Sequence, residues 1–295
     1  MKIVVAYKWA PNPQDASVGV DGIVDWSRAK SGISEYDPVA IELARRLADA
    51  TGGEVIGLTA GPTRVDASLA RKAALSRGFD RAVIVADDAL EGAGTTELAA
   101  VLAAAVRHIG EVDLVITGDS SVDVGARMVP TVLAGQLGWP AVGEVTAVSG
   151  QAGLLRVERD IAGGSQILEI SGPAVLAAST NAAVPRVPGM RDILAAGKKP
   201  VETLEVAALD VPTGGTTVTV THTSRPELKA RKHQMIDTSD PAAAAAELVI
   251  ALRGAGGIDQ VADRWVTRDD DPGVRSHCRG LSFVSRVLTA RPRTR

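Results

Sequence analysis

Four short apolar runs recur along the first 120 residues: KIVVAY, EVIGLTAG, RAVIVAD and VDLVITGD. None of them alternates polar with apolar side chains. A strand written this way has both faces covered, which is the condition of a parallel sheet with helices on each side. The intervals between them carry a helical period. DPVAIELARRLADATGG sets Val39, Ile41, Leu43 and Leu47 on a helical pattern and stops at Gly52. TRVDASLARKAALSRG predicts a second helix with Gly78 at its C′ position, and TTELAAVLAAAVRHIG a third closed by Gly110. GARMVPTVLAGQLG predicts a fourth, with Pro130 inside it and Arg127 in its first turn. Right-handed crossovers then give an α/β fold, a doubly wound Rossmann-like parallel sheet of the adenine-nucleotide-binding type.

From about Pro140 the pattern changes. PAVGEVTAVSG, GLLRVERDI, SQILEIS and PAVLAAST are strand-like and separated by turn residues, which predicts antiparallel hairpins extending the sheet. Residues 1–200 read as one α/β domain, and 201–257 as a C-terminal arm. Within the arm VETLEVAALD is a possible strand, and DPAAAAAELVIALRGAGG is a helix with Asp240 as N-cap and Pro241 at N1. Residues 261–295 hold eight arginines against four aspartates, and 258–295 read as an Arg-rich, flexible tail. No internal repeat occurs.

Composition removes several function classes. Net charge is −3, so no global field draws the chain to nucleic acid or to a membrane surface. No run reaches the ~20 apolar residues a membrane span needs, and the N-terminal run is too short for a signal peptide, so the expected compartment is the cytoplasm. Cys278 is the single cysteine, and the four histidines (His108, His222, His233, His277) show no ligand spacing, so no metal site is expected. Aromatics are 3 % of the chain, so the core must be built from Ala, Val, Leu and Ile.

In an open parallel sheet ligands bind beyond the carboxyl ends of the strands. AYKWAPNPQD, SGISEYDP, TAGPT and TGDSSVDVGARM lie there. The last has two glycines, two hydroxyls and acids leading to a helix, with Arg127 beside it. Backbone N–H groups in such a loop suit a phosphate. The same residues also make a tight turn whose Ser and Asp act as caps. GxGxxG and GxxxxGK[ST] are both missing. No catalytic set is present: there is no GxSxG and no histidine beside a nucleophile. Asp87, Asp88 and Glu91 read as a solvated acidic patch. Such a chain reads as a carrier or binding module, and redox chemistry would have to come from a cofactor.

NAAVPRVPGMRDILAAGKKP, residues 181–200, follows the last strand-like run. Its prolines stiffen a segment whose apolar side chains, Val184, Val187 and Met190, sit among arginines. It reads either as a crossover packed on its own sheet or as a docking loop.

VERDIAGGSQILEISGPAVLAA, residues 157–178, resembles the signature of the electron transfer flavoprotein β subunit. The signature falls on Arg159, Gly163, Gly164, Gln166, Leu168, Pro173, Val175 and Leu176, with Ala162 departing where an acid is usual. The resemblance covers roughly residues 1–250 and includes VAYKWAPNPQD. GISEYDPVAIELA, RKAALSRGFDRAVIV and GDSSVDVGARMVPTVLAGQLGWPAV more closely resemble the Fix-type β subunits of the nitrogen-fixation and carnitine branch. The resemblance implies a heterodimer with an α subunit, FAD held between the two, and an AMP in the β subunit. The cofactor site would match Ala6, Ser34, Tyr36, Asp37, Ala60, and the loop Ser120, Ser121, Val122, Asp123, Gly125, Ala126, Arg127 and Thr131. Ser34 and Glu35 stand where an Asn-Pro pair is usual, and Val124, Gly125 and Arg127 replace an acidic, Gln-containing run. In electron-bifurcating relatives a second FAD occupies this region, with NADH as donor. Segment 181–199 corresponds to the recognition loop, with Met190 as anchor beside Val187 and Pro188 and between Arg186 and Arg191. The implied partners are acyl-CoA or other flavin dehydrogenases and a downstream quinone oxidoreductase, making the chain an electron carrier without catalytic residues of its own. A stand-alone adenine-nucleotide-sensing module of the same fold is the reading from a different class.

Overall fold

The computed structural model describes residues 1–211, 221–222, 224, 226–227, 230–231, 233–256 and the backbone of 283–289. The first four apolar runs become strands β1 (Lys2–Ala6), β2 (Glu54–Gly61), β3 (Arg81–Ala86) and β4 (Leu114–Gly118). Helices α1 (Asp37–Thr51), α2 (Ser68–Leu75) and α3 (Thr95–Ile109) connect them, and α4 (Val129–Leu137) follows β4. Next come β5 (Ala141–Gln151), β6 (Leu154–Ile161), β7 (Gly164–Ser171) and β8 (Ala174–Ala178), then α5 (Met190–Ala196) and β9 (Val201–Leu204). Strand β10 (Phe283–Thr289) completes a sheet ordered β9-β3-β2-β1-β4-β8-β5-β6-β7-β10.

The sheet is doubly wound, as expected. Strand residues of opposite parity feed two cores. Ile3, Val5, Val55 and Ile84 pack with Ile41, Leu47, Leu75 and Phe79 on the side of α1 and α2. Val4, Ile56, Leu58, Val83 and Val115 pack with Ala99, Leu102, Val106 and Leu133 on the side of α3 and α4. Both cores are almost wholly aliphatic. Phe79 lies against Gly57, where a Cβ would come within 2.7 Å of the ring, and tilts against Tyr7 with centroids 5.4 Å apart.

Several local expectations are corrected. The second helix is two pieces, a 3-10 turn at Thr63–Asp66 and α2, because Ala67 between them is extended (φ −60°, ψ 147°). Its last helical residue is Leu75, so Gly78 lies beyond the C′ position. Pro130 is not internal to α4. It sits in the first turn, where its missing N–H has no intrahelical partner to lose. Arg127 precedes that helix, in a left-handed conformation (φ 54°).

Of the four runs after Pro140, β5, β6 and β7 form the antiparallel meander. Strand β8 does not: it inserts parallel between β4 and β5. Its five residues are all buried, so it belongs with the two-sided strands of the first half. The long β5 makes this possible. It pairs with β8 through residues 141–145 and with β6 through residues 145–151. At the changeover Glu144 takes a left-handed φ of 56°.

Strand β9 pairs in parallel with β3 at the sheet's other edge. The acidic loop Asp87, Asp88, Glu91 is put to structural use there. Asp87 accepts from the Val206 N–H at 3.1 Å, Asp88 from the Thr63 N–H at 2.9 Å, and Glu91 pairs with Arg64. In the unit spanning 225–281, α6 (Pro241–Gly254) starts with the Asp240 side chain accepting from the Ala242 N–H at 2.9 Å, as its cap motif predicts. Apart from the pairing of β10 with β7, the tail expected over 258–295 lies outside the described residues.

Candidate functional site

Strand order reverses between β1 and β4. From β1 the chain goes outward to β2 and β3, then returns to lay β4 on the other side of β1. The loops leaving β1 and β4 therefore diverge, and a crevice opens beyond their carboxyl ends. A cavity of about 240 Å³ occupies it. Ala6, Ala60 and Gly118 supply the floor at the ends of β1, β2 and β4. Gly94 and Thr95 at the start of α3, with Leu98 and Leu102 one and two turns along, form one wall. The loop from Asp119 to Pro130 forms the other.

Asp37, the first residue of α1, joins these parts. It is 4 % exposed, and its Oδ2 accepts from the Lys8 N–H at 2.7 Å. Burial pushes its carboxyl up to about 7, against the pull of the Lys8 and Gly118 N–H groups. Gly118 has to be glycine: a Cβ there would lie 2.7 Å from Asp37 Oδ1 and 2.8 Å from Tyr36 Cβ.

Two contacts strap the 119–128 loop across the crevice. Lys8 Nζ, on the loop leaving β1, pairs with Asp123 Oδ2 at 2.6 Å. Burial works against the Asp123 charge, but Lys8, the Ser121 hydroxyl and the Val124 N–H outweigh it and hold the carboxyl below its usual range. The buried Ser34 hydroxyl accepts from the Val122 N–H at 3.3 Å. Gly125 turns the loop with φ 65°. Arg127 is held loosely, 3.6 Å from Asp119 Oδ2 and 3.5 Å from Glu144 Oε1, with its side chain 60 % exposed.

The expected cofactor residues thus divide. Ala6, Asp37, Ala60, Ser120, Ser121, Ala126 and Arg127 border the cavity. Ser34, Tyr36, Val122, Asp123 and Gly125 lie behind it and shape the loop and the floor. Thr131 is exposed on α4, away from the lining. Residue-level reading missed Lys8, Asp119 and the α3 wall. Lys8 and Asp119 stand in the loops already marked by strand ends. The α3 wall carries no local signal, because only the crossover brings Thr95 and Leu98 there.

The electron transfer flavoprotein domain matches residues 21–209. This chain belongs to the electron transfer flavoprotein family. The match runs to the turn after β9, so it takes in the crevice lining other than Ala6, Tyr7 and Lys8, together with the meander and the segment after β8. The family implies flavin and AMP binding in general terms, and a heterodimeric partner. Among the described residues no three His, Cys, Asp or Glu side chains are placed to hold a metal ion, and no helix is long and apolar enough to cross a membrane.

The crevice suits an adenine nucleotide chemically. Leu98, Leu102, Val129 and Pro130 offer apolar wall for a flat base. The amino end of α3 and the largely exposed Arg127 offer positive charge for a phosphate. Asp119 lines the cavity, and its buried Oδ1 has no hydrogen-bond donor among the described residues, so a ligand hydroxyl or amino group within reach would relieve it.

Segment 181–199, expected as a loop, is a loop only to Gly189 and then becomes α5. Met190 opens that helix, 73 % exposed, with Val184 at 82 % and Val187 at 89 %. Pro188 and Arg191 flank it. Arg186 is engaged in an ion pair with Glu42 at 2.7 Å.

Proposed function

We propose that this chain is the β-type subunit of an electron transfer flavoprotein, in the Fix-type branch. It binds an AMP-sized adenine nucleotide in the switch-point crevice, shares an FAD with an α subunit, and docks flavin dehydrogenases through segment 184–194. FAD supplies the electron-accepting chemistry when bound. The chain's own residues bind, orient and dock. The acceptor class is a downstream quinone oxidoreductase.

The observation that carries this reading is the exposed segment after β8. Val184, Val187, Met190 and Leu194 remain in solvent, although α5 packs Ala196 into the core. A crossover serving only its own sheet would turn these side chains inward, and a stand-alone nucleotide sensor has no use for them. Nucleotide binding is supported by the crevice, with Asp119, Arg127, Ser120, Ser121 and the α3 amino end facing one space. Helix α6 supports a partner-wrapping arm: Leu248, Val249, Ile250 and Leu252 are 48, 39, 70 and 41 % exposed.

The test is co-purification with the cognate α subunit, followed by release and quantitation of bound nucleotides. One FAD and one AMP per heterodimer is the expected result. Two FAD and no AMP would assign the crevice to a second flavin and make bifurcation from NADH the mechanism. A stable homo-oligomer that binds ATP or AMP alone would sink the subunit reading.

A further inference from the structure

The segment between β8 and β9 is exposed in its middle and fastened at both ends. Met190 and Leu194 are four residues apart on α5 and so share a face, 73 and 69 % exposed, with Val187 just before them at 89 %. Ala182 and Ala196 on either side pack against the core.

Between Ala182 and the apolar residues lies Arg186. Its Nε and Nη2 donate to Glu42 Oε2 and Oε1 at 2.7 and 3.3 Å, and its backbone N–H also reaches Oε2 at 3.4 Å. Glu42 is 6 % exposed on α1, and Arg46 donates to its Oε1 at 3.0 Å. Burial opposes its ionisation, but the hydrogen bonds from Arg186 and Arg46 prevail and hold the carboxyl low. At the far end Lys199 Nζ donates to the carbonyls of Leu75, the last residue of α2, and Phe79 beyond it, at 3.0 and 2.6 Å. Within the segment Asp192 accepts from the Gly189 N–H at 2.9 Å and closes the first turn of α5.

A carboxylate on the inner side of α1 is a poor choice for stability alone, because an apolar residue of that size avoids its desolvation. Three donors from one residue do something else: they fix the path of the chain as it enters the exposed stretch. A stretch ordered in advance loses less entropy on association.

We infer that Glu42, through Arg186, is a positioning residue for docking, holding Val187, Met190 and Leu194 as one preformed apolar ridge for an apolar groove on the dehydrogenase. This rests on the reading of 184–194 as the docking segment. Arg191 and Lys198, for which no ion pair is found among the described residues, add positive charge beside the ridge, so the groove's rim is acidic.

The test uses the holo-heterodimer as wild type, Glu42→Gln, Arg186→Gln, the double variant and Met190→Ala. Two quantities are read: the rate of trypsin cleavage after Arg191, and KM and kcat for reduction of the heterodimer by an acyl-CoA dehydrogenase. Glu42→Gln is expected to raise both the cleavage rate and KM about tenfold, with kcat and flavin content unchanged. The double variant should be no worse than either single one, since the pair acts as a unit. If Met190→Ala raises KM but Glu42→Gln leaves KM and cleavage at wild-type values, the positioning role is wrong and the docking segment stands. A Glu42→Gln variant that unfolds at lower temperature yet keeps its KM also overturns it, leaving a purely structural ion pair. If Met190→Ala itself leaves KM unchanged, the docking reading fails and this inference with it.

Discussion

Asp37 is where β1, β4 and α1 meet, and it does so at an electrostatic cost. Its carboxyl is buried and raised to about 7, while an unfolded chain would titrate it near 3.8. The folded state therefore binds the proton more tightly between those values. Asp37's contribution to stability is most favourable at the acid end, falls as pH rises from about 4 to about 7, and is flat above that. Replacing it with Asn removes this slope. The stability of Asp37→Asn relative to wild type should rise across that window by no more than about 4 kcal/mol, the ceiling for a shift of this size. Urea unfolding at several pH values measures it, and a parallel pair of curves would show that Asp37 titrates normally. Sequence reading placed Asp37 at the site but could not supply this property, which comes from its burial and persists although the Lys8 and Gly118 N–H groups pull the other way.

At the scale of elements, the 119–128 loop is a strap rather than a simple strand-to-helix turn. Its closure runs through Lys8–Asp123 and Ser34–Val122, both joining segments far apart in sequence. The Asp123 carboxyl is depressed in the folded protein, so its pairing contributes above the unfolded value and is lost as pH falls through the lower folded one. Asp123→Asn should weaken AMP binding to the nucleotide-stripped heterodimer about tenfold, while costing ~1 kcal/mol or less of stability because Lys8 is partly solvated. Titration calorimetry and thermal unfolding check the two halves. Unchanged AMP affinity would separate the strap from the ligand. The glycines and acids of TGDSSVDVGARM pointed to this loop, but left phosphate binding and plain turn formation both open. The cavity behind it, and the α3 wall facing it, are what add weight to a ligand.

For the whole molecule, the distribution of exposed apolar side chains matters more than the net charge. None of the residues of α6 is buried, although the helix is rich in Ala, Leu, Val and Ile. Substituting Ile250→Arg should therefore leave the unfolding of the isolated chain unchanged and weaken its association with the α subunit by at least about tenfold, the size expected for one interface anchor. Analytical ultracentrifugation of mixed subunits reads this directly. Wild-type association by the variant would remove α6 from the interface.

The two-sided strands, the helices between them, the aliphatic core and the cap at Asp240 follow from the sequence alone, because each rests on a local pattern of period, breaker or cap. The family resemblance lay in the same local runs. Only the tertiary structure decided that β8 lies parallel between β4 and β5, since AVLAA carries no local mark of which strands it pairs with. It also decided that Arg186 is spent on Glu42, 144 residues away, and that Thr95 and Leu98 face Asp119. Those contacts join residues with no periodic relation along the chain, so they come into being only when the sheet fixes the ends of its strands in space.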